Sequence, residues 1–379
     1  MSRLSWASAT KAGADTESRR SAVEVAVGAV VDPQLTMPLA ELGMVEQVTV
    51  SRRGPIRVLL RTIAADCPQQ AVLTSLVEQA VATVDPGSEV AVEVSVMDAR
   101  ARTAVGQLLR SRADRSQLTG RRRVYAVASG KGGVGKSTVT ANLAVALAAQ
   151  GKRVGVLDAD VWGYSLPRLF GVRYAPVAVA GMMLPVVAQG LQLMSVGFFL
   201  PADEPVLWRG PMLHKAIEQF VHDVAWGDLD VLLVDLPPGT GDVQMSLLEQ
   251  LPDAAFVVVT TPQAAAVDVA ARVGRMALDA RLPIAGVVEN MAGVACRCCG
   301  EINDVFGSDG GADLAGRLGA PLLGSVPLDA AARASGDDGV PVVTARPDAP
   351  AAVALTAIAR ALPVVRRSLV GRSLPVSVV

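Results

Sequence analysis

Seven short apolar runs set the strongest limit on what this chain can fold into. They read VYAVAS from Val124, then RVGVLDAD, LQLMSV, DVLLVDL, AAFVVVTT, IAGVVEN and PLLGSVP, with helical stretches between them. A strand apolar on both faces needs cover on both, and strands that alternate with helices find it in a parallel sheet flanked by helices. A doubly wound α/β domain is therefore expected over residues 124–362. Functional groups should gather at the carboxyl ends of its strands.

The first run leads directly into such a group. Gly130, Lys131, Gly132, Gly133, Val134, Gly135, Lys136 and Ser137 fit G-x-x-x-x-G-K-S, and Thr138 follows in the helical stretch STVTANLAVALAAQ, which closes at Gly151. A strand, a glycine loop and a helix in that order make a phosphate cradle. Glycines let backbone N–H groups approach the phosphates, Lys136 neutralises the outer ones, and the Ser137 hydroxyl ligates Mg2+. Hydrolysis also needs carboxylates at neighbouring strand ends. Asp235 ends DVLLVD and is expected to anchor Mg2+, while Asp158 and Asp160 end RVGVLDAD. The plainer role for these acids is to cap the helices that follow.

Lys131 has no task inside its own loop, because Lys136 already serves the phosphates. Desolvating a lysine is costly unless it meets an anion. In a two-fold dimer facing loop to loop, each Lys131 reaches the partner's phosphates and acts in trans, as an arginine finger does. A nucleotide-dependent homodimer is the expectation.

The rest of the chain divides by composition. Residues 1–19 are polar and alanine-rich and are expected to be disordered; residues 20–100 mix strand and helix patterns, as a small α+β domain would; residues 101–123 read as an Arg-rich linker; and residues 363–379 read as a frayed tail. The chain has 35 Lys plus Arg against 36 Asp plus Glu, so no global field recruits nucleic acid or acidic lipid. No charge occurs between Arg173 and Asp203, but Pro176, Gly181, Pro185, Gly190 and Gly197 interrupt that stretch. A spanning helix needs about 20 continuous apolar residues. Cytoplasmic residence without stable membrane association is expected, and the N-terminus has no apolar run of the secretory kind.

Four cysteines occur: Cys67, Cys296, Cys298 and Cys299. Cys296 and Cys299 make a C-x-x-C with Cys298 inside it, which suits a redox pair, half a zinc site or half an iron-sulfur site. Two chains would bring four thiolates to a two-fold axis, enough to bridge one 4Fe-4S cluster or to hold a structural zinc. Cys298 reads as a bystander. Cys67 precedes Pro68 at a helix start, where a thiol pKa can fall. His214 and His222 have no ligand motif near them and read as surface residues.

Several motifs in order resemble a known family. KGGVGKST resembles the deviant Walker A loop of the MinD/ParA-like P-loop ATPases, in which the extra lysine crosses a dimer interface. LDADVWGYSLPRLFG, LWRGPM, DLPPGTGDVQ, VVENMAG and CRCCGEINDVFG resemble the Mrp/ApbC iron-sulfur cluster carriers, and VVDPQLTMPLAELGMVEQV with ADCPQQ resembles the small domain that many bacterial members carry ahead of the ATPase. In those small domains the cysteine matching Cys67 is thought functional. The resemblance covers about residues 20–360. Tyr164 and Arg297 stand where the family often has proline. By resemblance, Asp160 positions the attacking water and Asn290 contacts the adenine. The implied protein is a homodimeric ATPase that uses ATP and Mg2+, holds a 4Fe-4S cluster between two chains and passes it to apo iron-sulfur proteins. A positioning ATPase of the MinD/ParA kind is the alternative.

Overall fold

The computed structural model describes residues 4–51, 54–119, 122–200, 210–295, 299 and 301–364. They form two compact units, one of residues 4–119 with Pro176–Val187 and Asp223–Asp228, the other of the remaining residues.

The second unit is built on a parallel sheet whose strands, among the described residues, run in the order Leu322–Val326, Ile284–Asn290, Ala254–Thr260, Arg123–Ser129, Val231–Asp235, Val154–Asp158 and Leu191–Ser195. The seven apolar runs supply these strands, and each neighbouring pair is parallel. Val154–Asp158, Val231–Asp235 and Ala254–Thr260 are buried along their whole length, as strands covered on both faces must be. Register then fixes the chemistry. Asp235 lies directly beside Asp158 on one side and Val127 on the other, so two carboxylates share one sheet end next to the strand that leads into the glycine loop.

Helix Lys136–Ala149 follows that loop. Val139 through Leu147 are buried without interruption, and three alanines and small polar residues let it lie close under the strands. It also packs against Pro350–Ala361 and Val342–Ala345.

In the first unit, Ile56–Thr62 pairs antiparallel with Val45–Thr49 and parallel with Val90–Val96. The parallel pairing requires a crossover, supplied by helix Gln70–Val84, which buries Leu73, Val77 and Val81. Ile56, Val58 and Leu60 alternate inward to meet them.

Three expected boundaries differ here. Residues 4–19 of the stretch read as disordered belong to one helix, Leu4–Gly28. Alanine-rich polar sequence has good helix propensity, and the helix's C-terminal turns are docked by Val23 and Val27, both fully buried. The supposed linker is helix Ala99–Thr119, with Val105 and Leu109 buried on the same core. The uncharged stretch after Arg173 also sends a hairpin, Val177–Val179 with Met182–Leu184, into this core, where Val179, Met182 and Leu184 are buried. Residues 176–187 and 223–228 thus group with the first unit, although the sequence places them inside the nucleotide domain. Arg112 secures the later segment by an ion pair to Asp228 at 2.6 Å.

Among the described residues no helix is long and apolar enough to cross a membrane. The tail beyond residue 364 lies outside the described residues.

Docking of the first helix through two valines gives a direct test. Val23→Asp or Val27→Asp should each lower the urea midpoint and reduce the far-ultraviolet helix signal, because each buries an unpaired charge. Val25→Asp should leave both unchanged, since Val25 is 71% exposed.

Candidate nucleotide site

The strand Arg123–Ser129 ends in a loop whose path only glycine permits. A Cβ at Gly130 would strike the backbone of Val269 and Ala270. Gly133 and Gly135 take φ of 83° and 82°, in the left-handed region that favours glycine. Val134 is buried between them, and the Asn290 Nδ2 donates to its carbonyl at 2.8 Å. The loop and the first residues of the helix line an open cleft of about 510 Å3 with Asp160, Trp162, Gly163, Ser165 and Pro238.

Lys136 opens the helix with its side chain only 6% exposed. Its Nζ lies 2.8 Å from Asp235 Oδ2 and 3.5 Å from Asp160 Oδ2. Burial works against its charge, but the Asp235 carboxylate, with help from Asp160 and Asp158, holds its pKa above the ordinary value. The ammonium is therefore charged and fixed before any phosphate arrives.

Asp235 is fully buried. Ser137 Oγ donates to its Oδ2 at 2.5 Å and Thr140 Oγ1 to its Oδ1 at 2.9 Å. A carboxylate, a hydroxyl and room for phosphate oxygens form the hard, all-oxygen donor set that Mg2+ prefers. Asp160 sits at the cleft wall, its Oδ1 accepting from Gly163 N at 3.0 Å. Asp158 lies behind both. Its Oδ2 accepts from Ser195 Oγ at 3.1 Å and Leu166 N at 3.2 Å, and burial, reinforced by the Asp235 charge, raises its pKa to about 7. The three strand-end acids are thus sorted by place, with Asp235 and Asp160 on Lys136 and Asp158 in the interior.

Lys131 stands apart from this cluster. It lines the cleft, and its Nζ lies 3.5 Å from the neutral Gln263 amide oxygen. Asn290 faces two ways, since it holds the loop through Val134 and also lines a second cavity of about 340 Å3 with Pro327, Leu328 and Asp329. The two cavities adjoin at Gly135, Thr138 and Ser165. Thr140, Ser195 and the Pro327–Asp329 turn were not singled out from the sequence. Thr140 did carry a signal, being a polar residue one turn after Lys136 on the helix that follows the loop.

Comparison with known proteins turns this geometry into a family. Residues 120–363 match the family described as NUBPL iron-transfer P-loop NTPase, and residues 20–94 match the iron-sulfur cluster assembly protein family. The chain belongs to the NUBPL iron-transfer P-loop NTPases. An iron-sulfur cluster carrier protein of Mycobacterium tuberculosis is 47% identical over 368 residues, covering 93% of this chain and 96% of that protein. A protein of the same name from Synechocystis is 41% identical over 337 residues, covering 87% and 93%. Among solved structures, a nucleotide-binding protein from Archaeoglobus fulgidus in complex with ADP is 37% identical with a TM-score of 0.52, covering 62% of this chain and 91% of that one.

For an iron-transfer NTPase the cysteines matter next. Val294–Ala295 pairs antiparallel with Ile302–Asn303. Cys299, between these two strands in the chain, is exposed, whereas Cys296 and Cys298 lie outside the described residues. No cluster of three or more metal-ligating side chains occurs among the described residues. Cys67 departs from the expectation of a lowered pKa. Burial raises it, and the Asp32 charge adds to that, outweighing the backbone N–H groups of Gln69 and Gln70 that favour the thiolate. The His222 ring is exposed and meets Gln250 Oε1 at 3.2 Å, while the His214 side chain lies outside the described residues.

The buried acid yields a pH prediction. The folded chain holds the Asp158 proton to about pH 7, whereas the ordinary carboxylate value is 3.8, so the folded state binds more protons between these limits. Stability of the nucleotide-free, Mg2+-free protein should therefore fall as pH rises from 3.8 toward 7 on account of this group, then level off. Asp158→Asn should flatten that decline, as read by urea unfolding at pH values across the window.

Proposed function

We propose that this protein is an ATP-hydrolysing homodimer that holds a 4Fe-4S cluster between its two chains and delivers it to apo iron-sulfur proteins. The observation that carries the reading is the division between two lysines of one loop. Lys136 is locked between Asp160 and Asp235, while Lys131 makes no ion pair among the described residues. Backbone N–H groups from Gly132 to Thr138 cradle the phosphates and Lys136 neutralises them. Ser137 and Asp235 would hold Mg2+, which would supply positive charge against the phosphates. Asp160 accepts a hydrogen bond from the attacking water and aligns it with the γ-phosphorus. Lys131 of the second chain meets the charge that develops as the phosphorus–oxygen bond breaks, leaving ADP and phosphate. Asn290, bonded to the loop and lining the adjoining cavity, keeps the base beside the phosphates.

The cluster is the cargo. Cys296 and Cys299 from each chain supply four thiolates, and a reducing cytoplasm keeps them available. The names of the relatives, iron-sulfur cluster carrier proteins, support this half of the reading. ATP turnover then alters how the two chains meet and so loosens or tightens the shared site.

The lysines separate binding from turnover. Lys136→Ala should abolish ATP binding. It should also cost about 3–5 kcal/mol of stability by leaving buried carboxylates unpaired. Lys131→Ala should bind ATP within a few-fold of the parent yet lose about 10³-fold or more in hydrolysis, the scale of a trans-acting cation. Parent-like turnover by Lys131→Ala would refute the trans role. Asp160→Ala should bind ATP and turn over slowly, whereas Asp235→Ala should lose Mg2+-dependent binding.

The thiols separate cluster carriage from a plain ATPase. Anaerobic reconstitution with iron and sulfide should give a broad visible charge-transfer absorption and about four irons per dimer. The double variant Cys296→Ser, Cys299→Ser should lose both while keeping ATP binding, and Cys298→Ser should be mild. A double variant that loads like the parent would sink the bridged cluster. Parent protein that takes up zinc alone would replace the cluster with a structural metal.

A further inference from the structure

The segment from Asp158 to Leu166 carries Asp160 into the nucleotide cleft, and one carboxyl holds both of its ends. Asp158 Oδ1 accepts from Asp160 N at 3.3 Å, and Asp158 Oδ2 accepts from Leu166 N at 3.2 Å. Ala159 N donates to the Asp235 carbonyl at 3.0 Å, which ties the start of the segment to the neighbouring strand. Further along, Gly163 N donates back to Asp160 Oδ1 at 3.0 Å. Asp160 also lies 3.5 Å from Lys136 Nζ, a distance too long to orient the carboxylate by itself. Its aim therefore depends on how the segment is seated.

The middle of the segment is seated by an aromatic ring. Trp162, Gly163 and Ser165 line the cleft, whereas the half-buried Tyr164 between them lies against Gly197. A Cβ built on Gly197 would stand 2.3 Å from Tyr164 Cδ2 and 2.8 Å from its Cγ and Cε2, well inside van der Waals contact. The ring thus rests directly on the Gly197 backbone. Gly197 is not among the glycines with φ in the left-handed region, so the ring itself is what excludes a side chain there. The surface under the ring is fixed in turn. Gly197 N donates to Ser195 Oγ at 3.0 Å, and Ser195 Oγ donates to Asp158 Oδ2 at 3.1 Å. Ser195 is fully buried, and strand register places it beside Asp158. Asp158, the segment, Tyr164, Gly197 and Ser195 therefore form a closed circuit of contacts around the backbone that carries Asp160.

We infer that Tyr164 is a positioning residue for ATP hydrolysis: its ring, seated on Gly197, holds the segment in place and so keeps the Asp160 carboxylate aimed at the attacking water. The inference rests on the reading of Asp160 given above and extends it to a residue outside the cleft lining. The role belongs to the ring and not to the hydroxyl, because an aromatic face covers a glycine without needing a hydrogen bond. Small displacements matter here, since a shift of about 1 Å in a group that aligns a reactant can cost about 10²-fold in rate. Phosphate binding, which uses the glycine loop and Lys136, does not pass through this contact.

The test compares Tyr164→Ala, Tyr164→Phe and Gly197→Ala in the full chain. Tyr164→Ala should lower kcat by about 10- to 100-fold while KM for ATP stays near the parent's, and Tyr164→Phe should keep the parent rate. Retained ATP binding checks that each variant folds. Gly197→Ala should reproduce the loss, because the added methyl displaces the ring, and it gives a second route to the same result if Tyr164→Ala is unstable. In a Tyr164→Ala background, Gly197→Ala should cost little more, since the ring it would displace is gone. Amide exchange in the nucleotide-free protein needs no turnover. It should quicken at Asp160, Gly163 and Leu166 in Tyr164→Ala and stay parent-like in Tyr164→Phe. The two readings fail differently: a parent that binds ATP without hydrolysing it would defeat the ATPase, whereas parent-like exchange in Tyr164→Ala would defeat the seating of the segment. Parent-like kcat in Tyr164→Ala, a Tyr164→Phe variant as slow as Tyr164→Ala, or additive losses in the double variant would each overturn the role of the ring.

Discussion

The contact between Lys136 and Asp235 organises the nucleotide half of this protein. Asp235 is fully buried at a strand end, where an isolated carboxylate is strongly disfavoured. Three groups offset that cost: the Lys136 ammonium at 2.8 Å, the Ser137 hydroxyl at 2.5 Å and the Thr140 hydroxyl at 2.9 Å. All three come from the first turns of one helix. That helix can reach Asp235 only because Val231–Asp235 is inserted between Arg123–Ser129 and Val154–Asp158. Sheet order, helix position and loop path therefore meet in one ion pair.

The loop is shaped to the same end. Gly130 passes flush against the backbone of Val269 and Ala270, and the left-handed turns at Gly133 and Gly135 bring successive N–H groups around one cleft. Asn290 fastens the loop from the far side through Val134. Beyond it, the Asp329 carboxyl is committed to backbone, accepting from Ala331 N at 2.8 Å and Ala351 N at 3.2 Å. It thereby joins the last strand to two helices and gives the adjoining cavity a rigid wall.

The first unit solves a different problem. A three-stranded sheet with its helices has little core of its own, and surface-to-volume scaling makes so small a unit marginal. It gains apolar surface from outside its own stretch of chain, where Val179, Met182, Leu184 and Ala225 join a core otherwise built from residues 23–109. Burial of Asp32 and partial burial of Cys67 follow from that added cover, since Val177 and Leu184 line the cavity beside them.

Much of this was legible in the residues. Seven apolar runs specified a covered parallel sheet, because strand burial on both faces is written in composition alone, and the glycine loop announced phosphate chemistry because its spacing is itself the mechanism. Lys131, Lys136, Asp160 and Asp235 were named from motif position, and the structure places the last three within one ion-pair cluster and Lys131 outside it. The helices Leu4–Gly28 and Ala99–Thr119 were missed, since polar, alanine- or arginine-rich sequence shows little periodicity and their docking rests on a few valines and leucines that meet only after folding. The raised Cys67 pKa was missed for a related reason. Local sequence displays the helix start that lowers it, whereas the burial and the Asp32 charge that win come from a distant turn. Sequence determined the sheet, the loop and the residue types at the strand ends, because these depend on local pattern. Tertiary structure alone decided which acid meets Lys136, which lies buried behind it and which distant segments complete the first core, because register and desolvation belong to contacts between residues far apart in the chain.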